Sequence, residues 1–230
     1  MFSRRPPEMA LRLLSTLGLQ GVIEPRLGEL GARLGTEVSA EFAPTQVMLA
    51  RIAEGVRGDV AAITEAGIAT LAEQGIVAGR RVNLARSSVG AAVRAGATPP
   101  DFSDQASTIA ALLAAPSIVY SRQGASGLFF AKLIARLGIA DAVNANATII
   151  PQGFTGALVA RGEAALAIQQ MSELLAVPGL APPVPLPDAL QEKLVFTAAG
   201  FVGGDAAALL EALVALCSPD ALAGQGLTPA

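Results

Sequence analysis

Ser121–Gly138, SRQGASGLFFAKLIARLG, joins a polar turn to an apolar helix face. Its first seven residues hold two glycines, two serines, an Arg and a Gln. Leu128, Phe129, Phe130, Leu133, Ile134 and Leu137 then recur at helical spacing. Ser117–Tyr120, just upstream, reads as a short buried strand. Strand, Gly/Ser turn and helix start bring free backbone N–H groups and the positive end of a helix dipole to one point. That is an anion site made from backbone alone. An ordinary β–α turn uses the same residue types, so the rest of the chain decides between the two readings.

Three more strand ends carry small polar groups: Ser15-Thr16, Thr45-Gln46 and Thr64-Glu65. Each alone is an ordinary helix N-cap. Together they converge on one sheet edge, and open α/β sheets bind ligands outside the carboxyl ends of their strands. The elements that position them alternate in type. Strands are expected at Ala10–Ser15, Glu37–Phe42 and Asp59–Ile63. Helices are expected at Leu19–Leu34, at Thr45–Gly55 (with Thr45 as a candidate cap) and from Glu65 to about Gln74. Val82–Arg94 reads as a long strand interrupted at Arg86-Ser87-Ser88. A second series follows: a helix near Ser103–Ala114, the strand and helix around Ser121, a strand at Thr148–Ile150, a helix from about Gly153 to Arg161 and a strand at Ala165–Gln169. Pro178–Pro187 reads as a loop, Leu194–Gly200 as a strand and Asp205–Leu216 as a closing helix. Repeated βα units imply mainly parallel sheets covered by helices. Two series joined by extended crossings imply two lobes, 1–84 with 196–230 and 85–195, and a cleft between them suited to a small ligand.

Composition narrows the chemistry. Of 230 residues, 52% are hydrophobic and 15% charged, and the net charge is −3 without a long basic run. Nothing in this suggests a nucleic-acid surface. There is no His, and the single Cys217 lies in an apolar helix, so the usual general base, an internal disulfide and a Cys-based metal cluster are excluded. No stretch approaches a membrane span of ~20 apolar residues. MFSRRPPE leads into an apolar run too short for a signal peptide. The expectation is a cytoplasmic protein, or a periplasmic one if a leader was removed.

LARSSVGAAVRAG (84–96), GASGLFFAKLIARLGIAD (124–141), LVARGEAALAIQQMSELL (158–175) and the ending QGLTPA (225–230) give the chain a family resemblance. It resembles the periplasmic molybdate-binding proteins and their relatives, with the type II solute-binding-protein fold, a group that includes aconitate isomerase. The resemblance implies a two-lobed α/β fold and an anion held in the cleft by hydroxyls and backbone N–H groups, with no metal and no cofactor. Carried over by position, the first-lobe contacts fall at Ser15, Thr16, Thr45 and Gln46. Those of the second lobe fall at Arg86, Ser87, Tyr120, the turn Ser121, Arg122, Gln123, Gly124, Ala125 and Ser126, then Gln152, Gln169 and Gln170. The chain departs from the family in its short SRQGASG turn, where relatives often carry a longer glycine-rich one.

Three functions stand open: a cofactor-independent isomerase of an unsaturated di- or tricarboxylate, an oxyanion receptor of an importer, or a cytoplasmic ligand sensor, the last disfavoured because the sequence shows no DNA-reading segment. A receptor works outside the membrane, so the cytoplasmic reading favours the isomerase. A proton shift needs a base, an acid and groups that hold carboxylates. Without His the base is Glu, Asp, Lys, Tyr or a hydroxyl. Tyr120, Arg86 and Glu65 are the candidate catalytic residues, and Arg86 and Arg122 can each pair a carboxylate at two points. Bland readings stand beside these: Arg86 as a surface hinge residue, Tyr120 as a half-buried core residue. Glu65 and Glu173 equally suit helix starts for dipole reasons. Lys132 reads as a solvated face and Met171 as packing.

Overall fold

A computed structural model describes residues 10–230; Met1–Met9, including MFSRRPPE, lie outside the described residues. Strands β1 (Leu11–Thr16), β2 (Val38–Ala43), β3 (Val60–Thr64) and β4 (Val77–Ser87) come first. β5 (Val89–Ala92), β6 (Ile118–Ser121), β7 (Ala147–Ile150), β8 (Leu166–Gln170) and β9 (Val184–Pro185) follow, and the chain ends through β10 (Leu194–Phe201) and β11 (Leu227–Thr228). They form two sheets, β11-β4-β10-β3-β1-β2 and β7-β6-β8-β5-β9. This is the expected two-lobed α/β architecture. β3, β6 and β8 are buried at every residue, because a strand covered on both faces needs apolar or small residues on each.

Parallel pairing is confined to β2-β1-β3 and β7-β6-β8. β10 inserts antiparallel between β3 and β4, and β5 joins β8 antiparallel. Both sheets are therefore mixed. The interruption expected over Arg86–Ser88 narrows to Ser88, where the chain passes from one sheet to the other. Leu194 pairs with Ser87 and Val195 with Arg86, so the outgoing and returning segments run side by side. Each sheet packs apolar side chains on both faces. Leu13, Val60, Val82 and Phe196 face one layer of the first sheet, and Leu14, Ile63 and Met48 belong to the other. In the second sheet Val89, Ile118 and Ile168 belong to one face, and Ala92, Val119 and Ala167 to the other, with helices on both.

Several elements depart from expectation for local reasons. The helix expected over Leu19–Leu34 is broken into α1 (Gln20–Ile23) and α2 (Leu27–Leu34) by a tighter turn at Glu24–Arg26. Pro25 has no N–H to continue an α-helix. α2 then ends at Gly35, whose φ of 69° only glycine adopts without strain. α3 (Thr45–Ala53) has Pro44 at its cap position, so Thr45 is its first helical residue and not its cap. α4 (Glu65–Glu73) is capped by Thr64, whose hydroxyl accepts from the Gly67 N–H at 3.3 Å. α5 (Gln105–Ala114) starts two residues after Ser103 because Asp104 caps it, accepting from Ser107 N–H at 2.8 Å. α6 (Ala125–Arg136) is the expected helix, and α7 (Ala140–Ala145) follows it unforeseen. α8 (Thr155–Ala160), the five-residue α9 (Met171–Leu175), α10 (Ala207–Leu216) and α11 (Pro219–Leu222) complete the set. Within the expected 178–187 loop, Val184–Pro185 adds an edge strand to β5. Cys217 is buried beside α10, and burial pushes its thiol up to about 11, consistent with a packing role. No helix among the described residues is long and apolar enough to cross a membrane.

Candidate functional site

The lobes meet at a cavity of only about 10 Å³, room for about one water. From the first lobe come Thr16 at the end of β1 and Thr45 at the start of α3. From the second come Ser121 at the end of β6, Gly124 and Ala125 at the start of α6, Gln169 and Gln170 at the end of β8, and Glu173 in α9. Phe196, on the returning strand, closes one side. Every polar contributor sits at or just beyond the carboxyl end of a strand.

Two helix starts are left open there. Neither α3 nor α6 has a side-chain cap, whereas α4 and α5 are capped by Thr64 and Asp104. The first N–H groups of a helix have no partner within it and carry partial positive charge. Two such ends, one from each lobe, form a receptor for a small anion. The α6 start approaches the end of β6 so closely that a Cβ at Gly127 would overlap the Ser121 carbonyl oxygen. Only glycine allows that approach. The cavity lining contains no Lys or Arg, so a ligand's charge would be met by dipoles and neutral hydrogen-bonding groups.

Two of those groups are buried without partners. Thr45 is 4% exposed and Gln170 2%. Among the described residues, the Thr45 hydroxyl and both polar atoms of the Gln170 amide have no hydrogen bond. Gln169 differs. Its Oε1 accepts from the Thr155 N–H and hydroxyl, each at 2.8 Å, and its Nε2 donates to Gly153 O at 3.0 Å. Gln169 therefore holds the 153–155 turn in place, while Gln170 keeps its amide for something else.

Other expected contacts are placed differently. Tyr120 faces the core of the second lobe, edge-on to Phe130 with ring centroids 5.2 Å apart, and its hydroxyl donates to Asn144 Oδ1 at 2.7 Å. Burial raises its pKa, against a smaller effect of Arg122. Strand alternation is the reason: Ser121 faces the turn, so Tyr120 cannot. Arg86 and Ser87 line a separate pocket of about 640 Å³ with Phe102, Pro187 and Lys193, and Arg86 Nη1 donates to Pro229 O at 3.4 Å. Gln46 and Glu65 line a pocket of about 330 Å³ with Leu128 and Lys132, which shares Thr45 and Ala125 with the cavity. They stand at its approach and not within it. Arg122 and Gln123 are exposed. Their backbone N–H groups already donate to Ile150 O at 2.8 Å and Pro151 O at 3.2 Å, so they are not free for a ligand. Gln152 is exposed and lines none of these three pockets. Ser15 is fully buried, with its hydroxyl donating to Thr16 O at 3.3 Å. Ser126 is buried at the α6 start without lining the cavity.

Glu173, which in the sequence reads as a helix-start carboxylate, belongs to the cavity. It is 9% exposed. Burial pushes its carboxyl up to about 7, against a smaller opposing hydrogen bond from Gln169. Its position in the first turn of a helix had made it look like an ordinary dipole partner. The signal available in the sequence was its apolar setting, LAIQQMSELL, with no basic residue to pair it. Among the described residues, no three Asp, Glu, Cys or His groups come together as metal ligands.

Known proteins match this architecture along nearly its whole length. Aconitate isomerase from a Pseudomonas species is 32% identical over 234 aligned residues, covering 97% of this chain and 89% of that protein. The periplasmic molybdate-binding protein of Azotobacter vinelandii superposes with a TM-score of 0.77 at 19% identity, covering 96% of this chain and 99% of that one. The sulfate-binding protein of Mycobacterium tuberculosis gives 0.75 at 16% identity, covering 96% and 87%. The structural matches establish the fold, and the resemblance read from 84–96, 124–141 and 158–175 holds. The model of the bacterial extracellular solute-binding proteins matches residues 11–223, and the chain belongs to that family.

Proposed function

We propose that this protein is a cofactor-independent isomerase that binds an unsaturated di- or tricarboxylate at the lobe junction and moves its double bond by a proton shift. The observation that carries the binding half is Gln170. A buried amide with neither polar atom paired costs ~1–3 kcal/mol, and a ligand carboxylate in the cavity would accept from its N–H while the α3 and α6 starts hold the remaining charge. The chemical half rests on the aconitate isomerase relative, which shares 32% identity across nearly both chains. In this reading lobe 1–84 with 196–230 parts from lobe 85–195 to admit the ligand, since the cavity between them has only about 10 Å³ of free space.

The neutral lining favours one other reading, a receptor for a tetrahedral oxyanion held by hydroxyl and N–H groups alone. Deuterium uptake separates the two. In deuterated water the isomerase exchanges a carbon-bound proton of aconitate and interconverts its isomers without added metal. An oxyanion receptor binds molybdate or sulfate in calorimetry and exchanges nothing. Tight oxyanion binding with neither exchange nor interconversion of any aconitate isomer would overturn the isomerase.

A further inference from the structure

We propose, resting on the isomerase reading above, that Glu173 is the catalytic group that carries the migrating proton. Its carboxyl lines the same cavity as Thr45, Ser121 and Gln170, where the ligand would lie against both lobes. It has no salt-bridge partner among the described residues. The turn at Leu17–Leu19, β5, α8 and β8 pack against α9, and not one residue of these elements is ionisable. Nothing on them neutralises Glu173 or titrates in its place.

A carboxyl buried this way is costly as a structural residue. Its environment suits a group that must hold a proton and give it up again, since burial brings its titration to about 7. A receptor for fully ionised oxyanions gains nothing from it. Tyr120 cannot substitute, because its hydroxyl is engaged with Asn144 in the second-lobe core.

The step balances with this one group. The Glu173 carboxylate removes a proton from the saturated carbon next to the double bond. The C–H electron pair becomes the new π bond, and the old π pair moves towards its far carbon. The protonated Glu173 returns the proton to that carbon, and the carboxylate is restored. Negative charge accumulates on the allylic unit between the two transfers. The open N–H groups of α3 and α6 and the Gln170 amide hold the attached carboxylate that shares this charge. No oxidant, metal or second substrate enters.

The test uses the full chain with either geometric isomer of aconitate. Glu173→Gln keeps the shape of the side chain and removes its ability to take a proton. Its isomerisation and deuterium-exchange rates should fall by about 10²-fold or more, with aconitate affinity by calorimetry within about threefold of wild type. Wild-type kcat/KM should rise with pH through a limb near 7 that the Gln variant's residual activity lacks. Glu173→Asp should keep the limb at reduced kcat, and it tests the idea if the Gln variant folds poorly. A Gln variant within threefold of the wild-type rate, or one that keeps the limb, would overturn the role of Glu173 while leaving the isomerase standing. A wild-type protein that binds aconitate but neither interconverts its isomers nor exchanges a proton would overturn both.

Discussion

Gln169 and Gln170 are neighbours in β8 with opposite bonding: the first spends its amide on Thr155 and Gly153, and the second has no partner among the described residues. Truncation should therefore act on different properties at the two positions. Gln169→Leu leaves the Thr155 N–H buried and unpaired and should cost ~1–3 kcal/mol of stability. Gln170→Leu removes an unpaired amide and should leave the ligand-free protein as stable as wild type or more so, while lowering ligand affinity about tenfold or more. Urea denaturation and calorimetry on both variants test this. Equal destabilisation at the two positions would show that Gln170 is structural.

Glu173 should also shape stability against pH. The folded state raises its carboxyl from the ordinary 4.5 to about 7, so the folded protein holds this proton more tightly than the unfolded chain. Below 4.5 both states are protonated and the residue costs nothing. Stability then falls as pH rises from 4.5 to 7, by a total on the order of 3 kcal/mol, and levels off above that. Glu173→Gln should remove this slope. Melting curves for both proteins from pH 4.5 to 8.5, without ligand, give the difference. Parallel profiles would mean that Glu173 titrates in its ordinary range.

Gly127 and Gly28 make a paired test of glycine. A Cβ at Gly127 overlaps the Ser121 carbonyl oxygen, whereas one at Gly28, exposed on α2, meets nothing within 4 Å. Gly127→Ala should cost ~1–3 kcal/mol and abolish ligand binding by pushing the α6 start away from β6. Gly28→Ala should stabilise by about 0.5–1 kcal/mol, since alanine is the better helix former. If Gly127→Ala binds with wild-type affinity, the α6 start does not hold the ligand.

Much of this could be read from residue order, and the misses have physical causes. Buried strands such as VAAIT and LAIQQ are nearly continuous apolar or small runs, and the Gly/Ser turn before α6 stood out. The break at Pro25 was available, but the apolar spacing on either side masked it. Thr45 looked like a cap because a hydroxyl before a helix usually is one; Pro44 holds that place, which leaves the hydroxyl free for the cavity. Tyr120 was misplaced by proximity, since adjacent strand residues face opposite sides. Arg86 sits near the crossing in sequence but lines a different pocket, because β4 continues through it to Ser87. Glu173 was the hardest to recognise. A carboxylate in a first helical turn is commonplace, and only the packing of β5, β8 and α8 around α9 shows that it lacks a charged neighbour.

The insertion of β10 between β3 and β4 also sets an order of assembly. Residues 89–185 carry every strand of the second sheet in one continuous segment, so that sheet can form as soon as its own chain is available. The first sheet has a gap in its middle that only Leu194–Phe201 fills, joining positions as distant as Thr64 and Phe196. Long loops close at an entropic cost that is met before the contacts they enable are made. During synthesis the second lobe should be the earlier folding unit, with β1–β4 waiting for the last strands to emerge. In pulse-labelled refolding, amides of β6 and β8 should gain protection ahead of those of β3 and β4.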